Sequence, residues 1–508
     1  MRFRGESGRD AYDVIVVGSG IGGLTAAALL ARAGRSVLVV ERHDRVGGYA
    51  HAFRRGRYLF DSAVHLVGGC EPAGFEGGGL IHSLLTTLGV RDRCDFARID
   101  PCYAAVYPGA VVRAPCSIEE FIQAHTEEDH TQAKALRQFL QECLDVREET
   151  RRASQLPSPF GAVTDARRFP SLLRYRRATL AQVLDAQLDS PELKTLVGTL
   201  WPYLGLPPSR VSFLYFANML MSYLTDGAFY CRGSFQRFAD ALAAAITQNG
   251  GEILLKSCVR RIRVEGGRAC GVVLEHGQRI DSPLVLSNAD ASQTIEELVG
   301  PESFPTRYVE SLRRMKPSLS SFIVHAAASL SLAGREPCHE TFLFSSFDHD
   351  QAYRSSLAGD PTWLSVTVPT LADPSLAPAG QHLLILTTLV PYGTQSRWRT
   401  PGRDRLTGRL LEMAERHFPG LGERLEFVES GTPRTLERYT RNTGGALYGW
   451  ELSPAQVGSG RLAGSTPITG LRLVGHWTQP GGGIYGVVSS GIVTARSVLG
   501  PDVELDLA

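Results

Sequence analysis

The feature that most constrains this chain is a βαβ pattern near its start. An apolar, β-branched run, YDVIVV at residues 12–17, leads into the glycine pattern GxGxxG at 18–23 and then into an Ala- and Leu-rich stretch with helical character. A second apolar run, SVLVV at 36–40, ends at Glu41. Continuous apolar runs on either side of a helix predict parallel strands that are buried on both faces. We therefore predict an α/β fold built on a Rossmann-type parallel sheet.

The glycine turn predicts a site for the diphosphate of a dinucleotide. Gly18 permits the tight turn, Gly20 lets a diphosphate approach the backbone, and Gly23 lets the helix lie close to the strand. The first turn of the helix adds free N–H groups and a partial positive charge. Glu41 follows at the position where a carboxylate accepts hydrogen bonds from the hydroxyls of an adenosine ribose. This unit alone does not separate NAD from FAD.

A second glycine-rich loop lies near the end of the chain. Residues 471–499 read LRLVGHWTQPGGGIYGVVSSGIVTARSVL, which predicts a short strand, a loop from Gly475 onwards, and a helix that starts near 484–487. Such a loop presents another cluster of backbone N–H groups at a helix N-terminus. A cluster of this kind stabilises negative charge on the N1/O2 edge of a reduced flavin.

Composition excludes several other classes of protein. The chain has 508 residues with 53 Lys and Arg against 52 Asp and Glu, so no basic excess is available for binding nucleic acid. Its nine cysteines are scattered and form no CxxC pair, which argues against a zinc site or a redox pair. No uninterrupted apolar stretch is long enough to span a bilayer. We expect a soluble, cytoplasmic protein without a bound metal.

Several motifs together resemble the phytoene desaturase, carotenoid isomerase and retinol saturase group of FAD-dependent oxidoreductases. The resemblance covers about half of the residues. Two positions depart from the pattern: Ala63 stands where the group has glycine, and Tyr485 stands where the end motif GGGxPGV has proline. The matching segments are VIVVGSGIGGL, ERHDRVGGYAHAF, YLFDSAVHLVGG, LVLSNAD, DPSLAPAGQH, TPRTLERYTRNTGGALYGW and GHWTQPGGGIYGVVSSG.

The resemblance implies FAD as the cofactor and assigns residues to it. The ADP half would bind at the first glycine turn and at Glu41, with adenine against the backbone of Val259. The diphosphate on the flavin side would lie against the glycine pair Gly47 and Gly48. The loop 475–487 would hold the isoalloxazine ring. The residues implied are Gly18, Ser19, Gly20, Ile21, Gly22, Gly23, Glu41, Arg42, Gly47, Gly48, Val259, Gly475, Gly483, Ile484, Tyr485, Gly486 and Val487.

The same resemblance implies a two-part organisation. The FAD-binding domain would be assembled from residues 1–85, 230–300 and 431–508. An inserted α+β substrate-binding domain would comprise a helix-rich segment, 86–229, and a strand-rich segment, 301–430.

The implied substrate is a long, apolar, conjugated molecule such as a carotenoid, a retinoid or another polyene. Chemistry at flavin N5 would desaturate, saturate or isomerise it, and the sequence does not choose among these reactions. The candidate acid/base groups are His65 and Tyr485, with Trp477 as a stacking group; a purely structural role stays open for each. The apolar run 211–224 predicts either a buried helix or the wall of a lipophilic tunnel.

Two alternatives stay open. A tailoring oxidoreductase for a carrier-tethered polyene would need basic residues at the tunnel mouth, and the segment RRFPSLLRYRR at 167–177 offers them. That segment also suits a peripheral contact with an anionic membrane. The second alternative is a non-catalytic prenyl or lipid carrier that contains FAD as a structural group.

Overall fold

The computed structural model describes residues 6–72, 79–127, 129–154, 156, 167–332, 337–393 and 395–500. The strands in these ranges are β1 (Val14–Val17), β2 (Val37–Val40), β3 (Ala52–Arg55), β4 (Tyr58–Asp61), β5 (Val67–Gly68), β6 (Phe96–Ile99), β7 (Tyr103–Tyr107), β8 (Ala110–Ala114), β9 (Ala228–Cys231), β10 (Glu252–Leu254), β11 (Val259–Glu265), β12 (Arg268–Leu274), β13 (Arg279–Asp281), β14 (Val285–Ser287), β15 (Ser320–Ala328), β16 (Glu340–Phe344), β17 (Trp363–Thr367), β18 (His382–Val390), β19 (Leu425–Gly431) and β20 (Leu471–Leu473).

The α-helices in the same ranges are α1 (Ile21–Arg32), α2 (Leu80–Thr87), α3 (Ile118–His125), α4 (Ala133–Ser154), α5 (Pro170–Tyr175), α6 (Leu180–Gln187), α7 (Pro191–Gly198), α8 (Phe213–Asp226), α9 (Gln236–Gln248), α10 (Thr306–Arg314), α11 (His349–Ala358), α12 (Thr400–His417), α13 (Pro433–Thr440) and α14 (Ile484–Leu499). In these described segments, no helix combines the length and the apolar character needed to cross a membrane.

The predicted Rossmann-type sheet is confirmed. Its five strands are all parallel and follow the order β10-β2-β1-β14-β20. Every residue of β1 and β2 is buried, as expected for strands that are covered on both faces. Helices α9 and α14 both pack against α1 on one side of this sheet. Segments far apart in the sequence therefore build one dinucleotide-binding sheet.

A second sheet has seven strands in the order β19-β15-β18-β17-β16-β7-β8. Its pairs are antiparallel except for β16 and β7, which run parallel. One face packs against α12, and the other joins the large core that contains α4 and α8. The segment 86–229, expected to be helix-rich, also contributes β7 and β8 to this sheet. The two parts of the chain outside the parallel sheet are thus joined through hydrogen-bonded strands.

Glycines allow α1 to lie unusually close to its neighbours. A Cβ atom on Gly23 would stand 2.7 Å from the carbonyl oxygen of Gly18 and 2.9 Å from the Cβ of Asn288. A Cβ on Gly22 would stand 2.8 Å from the Cα of Gly475. On the partner helix, a Cβ on Gly491 would lie 2.7 Å from the carbonyl oxygen of Gly22. The contact of α1 with β1 and α14 therefore requires residues without side chains.

This packing generates a prediction about single alanine substitutions. We expect Gly23→Ala to destabilise the protein by roughly 1–3 kcal/mol, because the new methyl group forces backbone atoms apart. The matched control is Gly408→Ala in α12, where a Cβ atom meets nothing within 4 Å. That substitution should stabilise the protein by about 0.5–1 kcal/mol through helix propensity. Thermal midpoints of the two variants measure the difference, and equal midpoints would contradict the close packing of α1.

Candidate functional site

A cavity of about 1250 Å³ opens at the carboxyl ends of β1, β2 and β14. In doubly wound sheets, this edge is where ligands bind. Pockets that hold one drug-sized ligand span about 300–1,000 Å³. The cavity therefore has room for a dinucleotide and for part of a second ligand.

The turn after β1 and the carboxylate after β2 form one hydrogen-bonded unit. The backbone N–H and the hydroxyl of Ser19 donate to Oε2 of Glu41 at 2.8 and 2.7 Å. The backbone N–H of His43 donates to Oε1 of Glu41 at 2.7 Å. A carboxylate accepts about four hydrogen bonds. Glu41 is therefore held rigidly at the cavity wall, and Oε1 retains capacity for a ribose hydroxyl.

The glycine pair lies directly against the first turn. The backbone N–H of Gly47 donates to the carbonyl of Ser19 at 2.9 Å, and a Cβ on Gly48 would stand 3.1 Å from the Cα of Gly20. Both residues of the pair have positive φ, +120° and +57°, which glycine adopts without strain. Two bare backbone segments thus meet at the cavity, as a cradle for a diphosphate requires.

Most of the residues predicted for the cofactor line this one cavity. They are Gly18, Ser19, Gly20, Ile21, Gly22, Glu41, Arg42, Gly47, Gly48, Val259, Gly483, Ile484, Tyr485, Gly486 and Val487. Gly23 and Gly475 do not line it. Both lie against Asn288, whose Oδ1 accepts a hydrogen bond from the N–H of Gly23 at 2.9 Å and would stand 2.5 Å from a Cβ on Gly475. These two glycines therefore shape the site through packing.

Trp477 also lies outside the cavity lining. Its side chain is buried, packs edge-on against Trp450 at 4.7 Å between ring centroids, and donates from Nε1 to Oδ1 of Asn442 at 2.9 Å. With its N–H group bonded and both faces covered by protein, the indole has no free face for a ligand. The structure places Trp477 behind the wall, in contrast to the stacking role that the sequence suggested.

His65 and Tyr485 both reach the cavity. Burial is the main cause that lowers the pKa of His65 to about 3, and the nearby His339 and His325 contribute to the same shift, so the imidazole is neutral at neutral pH. Burial raises the pKa of the Tyr485 phenol, whereas the guanidinium of Arg147, 5.4 Å from the ring centre, acts in the opposite direction. Both side chains are therefore uncharged groups in the wall.

Sequence reasoning missed an ion pair beside Tyr485. Arg147 of α4 and Asp226 at the end of α8 pair with each other, and their side chains are only 7% and 4% exposed. Arg147 also donates to the carbonyl of Asn218 at 3.3 Å. No local motif marks two residues so far apart in the chain. Asn288, in contrast, stands directly after β14 at the carboxyl edge of the sheet, where a polar residue signals a site.

Comparison with known proteins identifies the family. The model of the flavin-containing amine oxidoreductases matches residues 21–499. The chain belongs to this family. Members of the family contain a flavin. In this chain, the glycine turn after β1, Glu41 and the glycine pair Gly47 and Gly48 fit the ADP half of FAD. The protein is therefore a flavoprotein oxidoreductase whose cofactor is FAD.

Individual relatives of this flavoprotein cover almost its full length. All-trans-retinol 13,14-reductase of Rattus norvegicus is 26% identical over 97% of this chain and 87% of its own. Prolycopene isomerase 1 of an Oncidium hybrid cultivar is 27% identical over 96% and 84%. Among solved structures, an oxidoreductase from Methanosarcina mazei aligns with a TM-score of 0.65 at 20% identity, over 95% of this chain and 99% of its own. That likeness concerns the fold.

The first site prediction concerns Glu41. We expect Glu41→Ala to weaken FAD binding at least about tenfold, because it removes a charge-assisted ribose bond and releases Ser19 and His43. Glu41→Gln keeps the size and one acceptor oxygen, and should lose less. Titration of the apoprotein with FAD measures both affinities. An unchanged dissociation constant for Glu41→Ala would place this carboxylate outside the site.

The second site prediction concerns the buried ion pair. Arg147→Met alone should destabilise the protein by about 3–5 kcal/mol, since it strands the charge of Asp226 in the interior. The double variant Arg147→Met/Asp226→Leu should recover most of this loss because no buried charge is left. Thermal unfolding of the FAD-bound proteins compares them. A double variant that is less stable than the single one would show that the pair itself stabilises the fold.

Proposed function

We propose that this FAD-dependent enzyme acts on a long, apolar, conjugated molecule of the carotenoid, retinoid or polyene type. The observation that carries the proposal is the continuity of the cavity from the nucleotide turn into an apolar region. The side chains of that region come from the segment after β4 and from α8, among other elements. They include Val64, Leu66, Leu204, Leu214, Met219, Leu447 and Leu452. An apolar space of this kind disfavours water and suits a conjugated hydrocarbon chain.

The names of the relatives point to the same substrate class. The retinol reductase adds hydrogen across a double bond of a polyene, and the prolycopene isomerase changes the geometry of one. We propose that the present enzyme carries out desaturation, saturation or cis–trans isomerisation. Bound FAD supplies a hydride acceptor or donor at N5 for such reactions.

The chain's own residues provide the environment for this chemistry. The N-terminus of α14, which begins at Ile484, directs free N–H groups into the cavity and favours negative charge there. We propose His65 and Tyr485 as the groups that hold or move a proton at the substrate. His65 would hold such a proton only transiently, because a pKa of about 3 makes its imidazole a weak base at neutral pH.

We also propose how the substrate reaches the cavity. The cavity that contains the flavin loop, the segment 475–487, is also lined by α5 and the residues just beyond it. The lining residues there are Leu172, Leu173, Arg176 and Arg177. A segment with apolar and basic side chains fits a peripheral contact with an anionic membrane, from which an insoluble substrate can enter. The same residues favour the second candidate, a polyene tethered to a carrier protein through phosphopantetheine.

We also propose a division into two domains. Residues 1–85, 230–300 and 431–508, which supply the parallel sheet, form the FAD-binding domain, and residues 86–229 and 301–430 form the substrate-binding domain.

Anaerobic incubation tests the proposed reaction. When the holoenzyme is mixed with retinoid and carotenoid probes, the absorbance of its bound flavin should change. A product that differs from its substrate by the mass of two hydrogens indicates redox chemistry, whereas an unchanged mass with a changed double-bond geometry indicates isomerisation. Leu214→Trp should abolish turnover by filling the apolar region while FAD stays bound. Leu357→Trp, at an exposed position of α11, is the matched control and should turn over normally. Recovery of every polyene probe unchanged, with no change in the flavin absorbance, would overturn the proposal.

A further inference from the structure

The cavity wall has a charge imbalance that an apolar substrate does not require. Among its described lining residues, the acids are Glu41 and Asp226, whereas the bases are arginines: Arg42, Arg45, Arg147, Arg151, Arg176, Arg177, Arg441 and Arg496. Arg42, Arg45 and Arg441 border the nucleotide part of the cavity. The other five belong to α4, α14 and the segment after α5. Asp226 pairs with Arg147, and Arg151 pairs with Glu148, which does not line the cavity.

One part of the cavity wall follows α14. Tyr485, Ser489, Val493 and Arg496 line the cavity with spacings of three or four residues, so they share one face of the helix. At 1.5 Å per residue, this face extends about 16 Å from the flavin loop at Tyr485 to Arg496. On the opposite side, Arg147 lies over the Tyr485 ring. We call Arg147 the inner arginine, and Arg176, Arg177 and Arg496, which are less buried, the outer arginines.

The inner and outer arginines differ in their surroundings. Arg147 is buried and paired with Asp226, so its charge is balanced within the protein. Arg176 and Arg177 are exposed, and Arg496 is half-buried, so that burial lowers the pKa of its guanidinium. The apolar side chains of Leu172 and Leu173 stand beside the first two on the cavity wall. Arg176 and Arg177 thus share the cavity wall with apolar side chains of the same segment.

A hydrocarbon gains nothing from such cations and has to displace their hydration water. A carboxylate or phosphate, in contrast, forms charge-assisted and often bidentate hydrogen bonds with guanidinium groups. We propose that Arg176 and Arg177 bind an anionic end-group, carboxylate or phosphate, carried by the conjugated substrate, whose chain extends through the cavity towards Tyr485. This inference rests on the proposed function and narrows its substrate class to acidic polyenes.

A comparison of two probes on the holoenzyme tests the inference. All-trans-retinoic acid and its methyl ester share the conjugated chain and differ in the charge of the end-group. Equilibrium dialysis should show the acid bound at least about tenfold more tightly than the ester. Raising the salt concentration should weaken binding of the acid alone, since screening acts on charges. Inorganic phosphate should displace the acid and leave the ester bound.

The double variant Arg176→Ala/Arg177→Ala should lose most of the preference for the acid, to within about threefold. Arg174→Ala is the matched control, because this exposed residue of α5 pairs with Glu142 and does not line the cavity. It should keep the preference. Equal binding of acid and ester by the wild type, or a preference that survives in the double variant, would overturn the inference and leave the proposed function standing. If neither probe binds, the inference fails, and the proposed function is decided separately by turnover of the other polyenes.

Discussion

The hydrogen bond from the backbone of Gly23 to the side chain of Asn288 is the contact on which the site depends. At 2.9 Å it joins the first turn of α1 to the end of β14. The bond forms only because glycines 22 and 23 let the helix approach so closely, and the same Asn288 side chain leaves no room for a Cβ on Gly475. Three chain segments that are distant in sequence therefore meet at one amide group. Their meeting creates the carboxyl edge at which FAD is held.

Local sequence patterns were sufficient to predict the nucleotide half of the molecule. The strands β1 and β2, the glycine turn and Glu41 lie close together in the chain, and each obeys a strong steric or hydrogen-bonding rule. Strand β14 lies in the matching segment LVLSNAD, where an apolar run ends in polar residues. Such patterns are readable because the partner atoms are backbone groups of neighbouring segments.

The substrate half was less accessible from sequence, for two physical reasons. Strands β7 and β8 are short and lie within a helical region, and only their pairing with the distant β16 makes them part of a seven-stranded sheet. The pair Arg147–Asp226 depends on how α4 and α8 pack, which no local spacing reveals. Trp477 shows the converse: an aromatic residue next to a glycine-rich loop suggested a ligand contact, but its partners are Trp450 and Asn442.

The packing of α1 against α14 has a consequence for the order of events during synthesis. The first turn of the nucleotide site is synthesised long before the loop at 483–487 and α14. Because both line the same cavity, the cradle is incomplete until α14 has been made. A chain that stops short of α14 therefore has the turn but not the enclosure. Retention of the yellow cofactor thus reports that synthesis has passed α14.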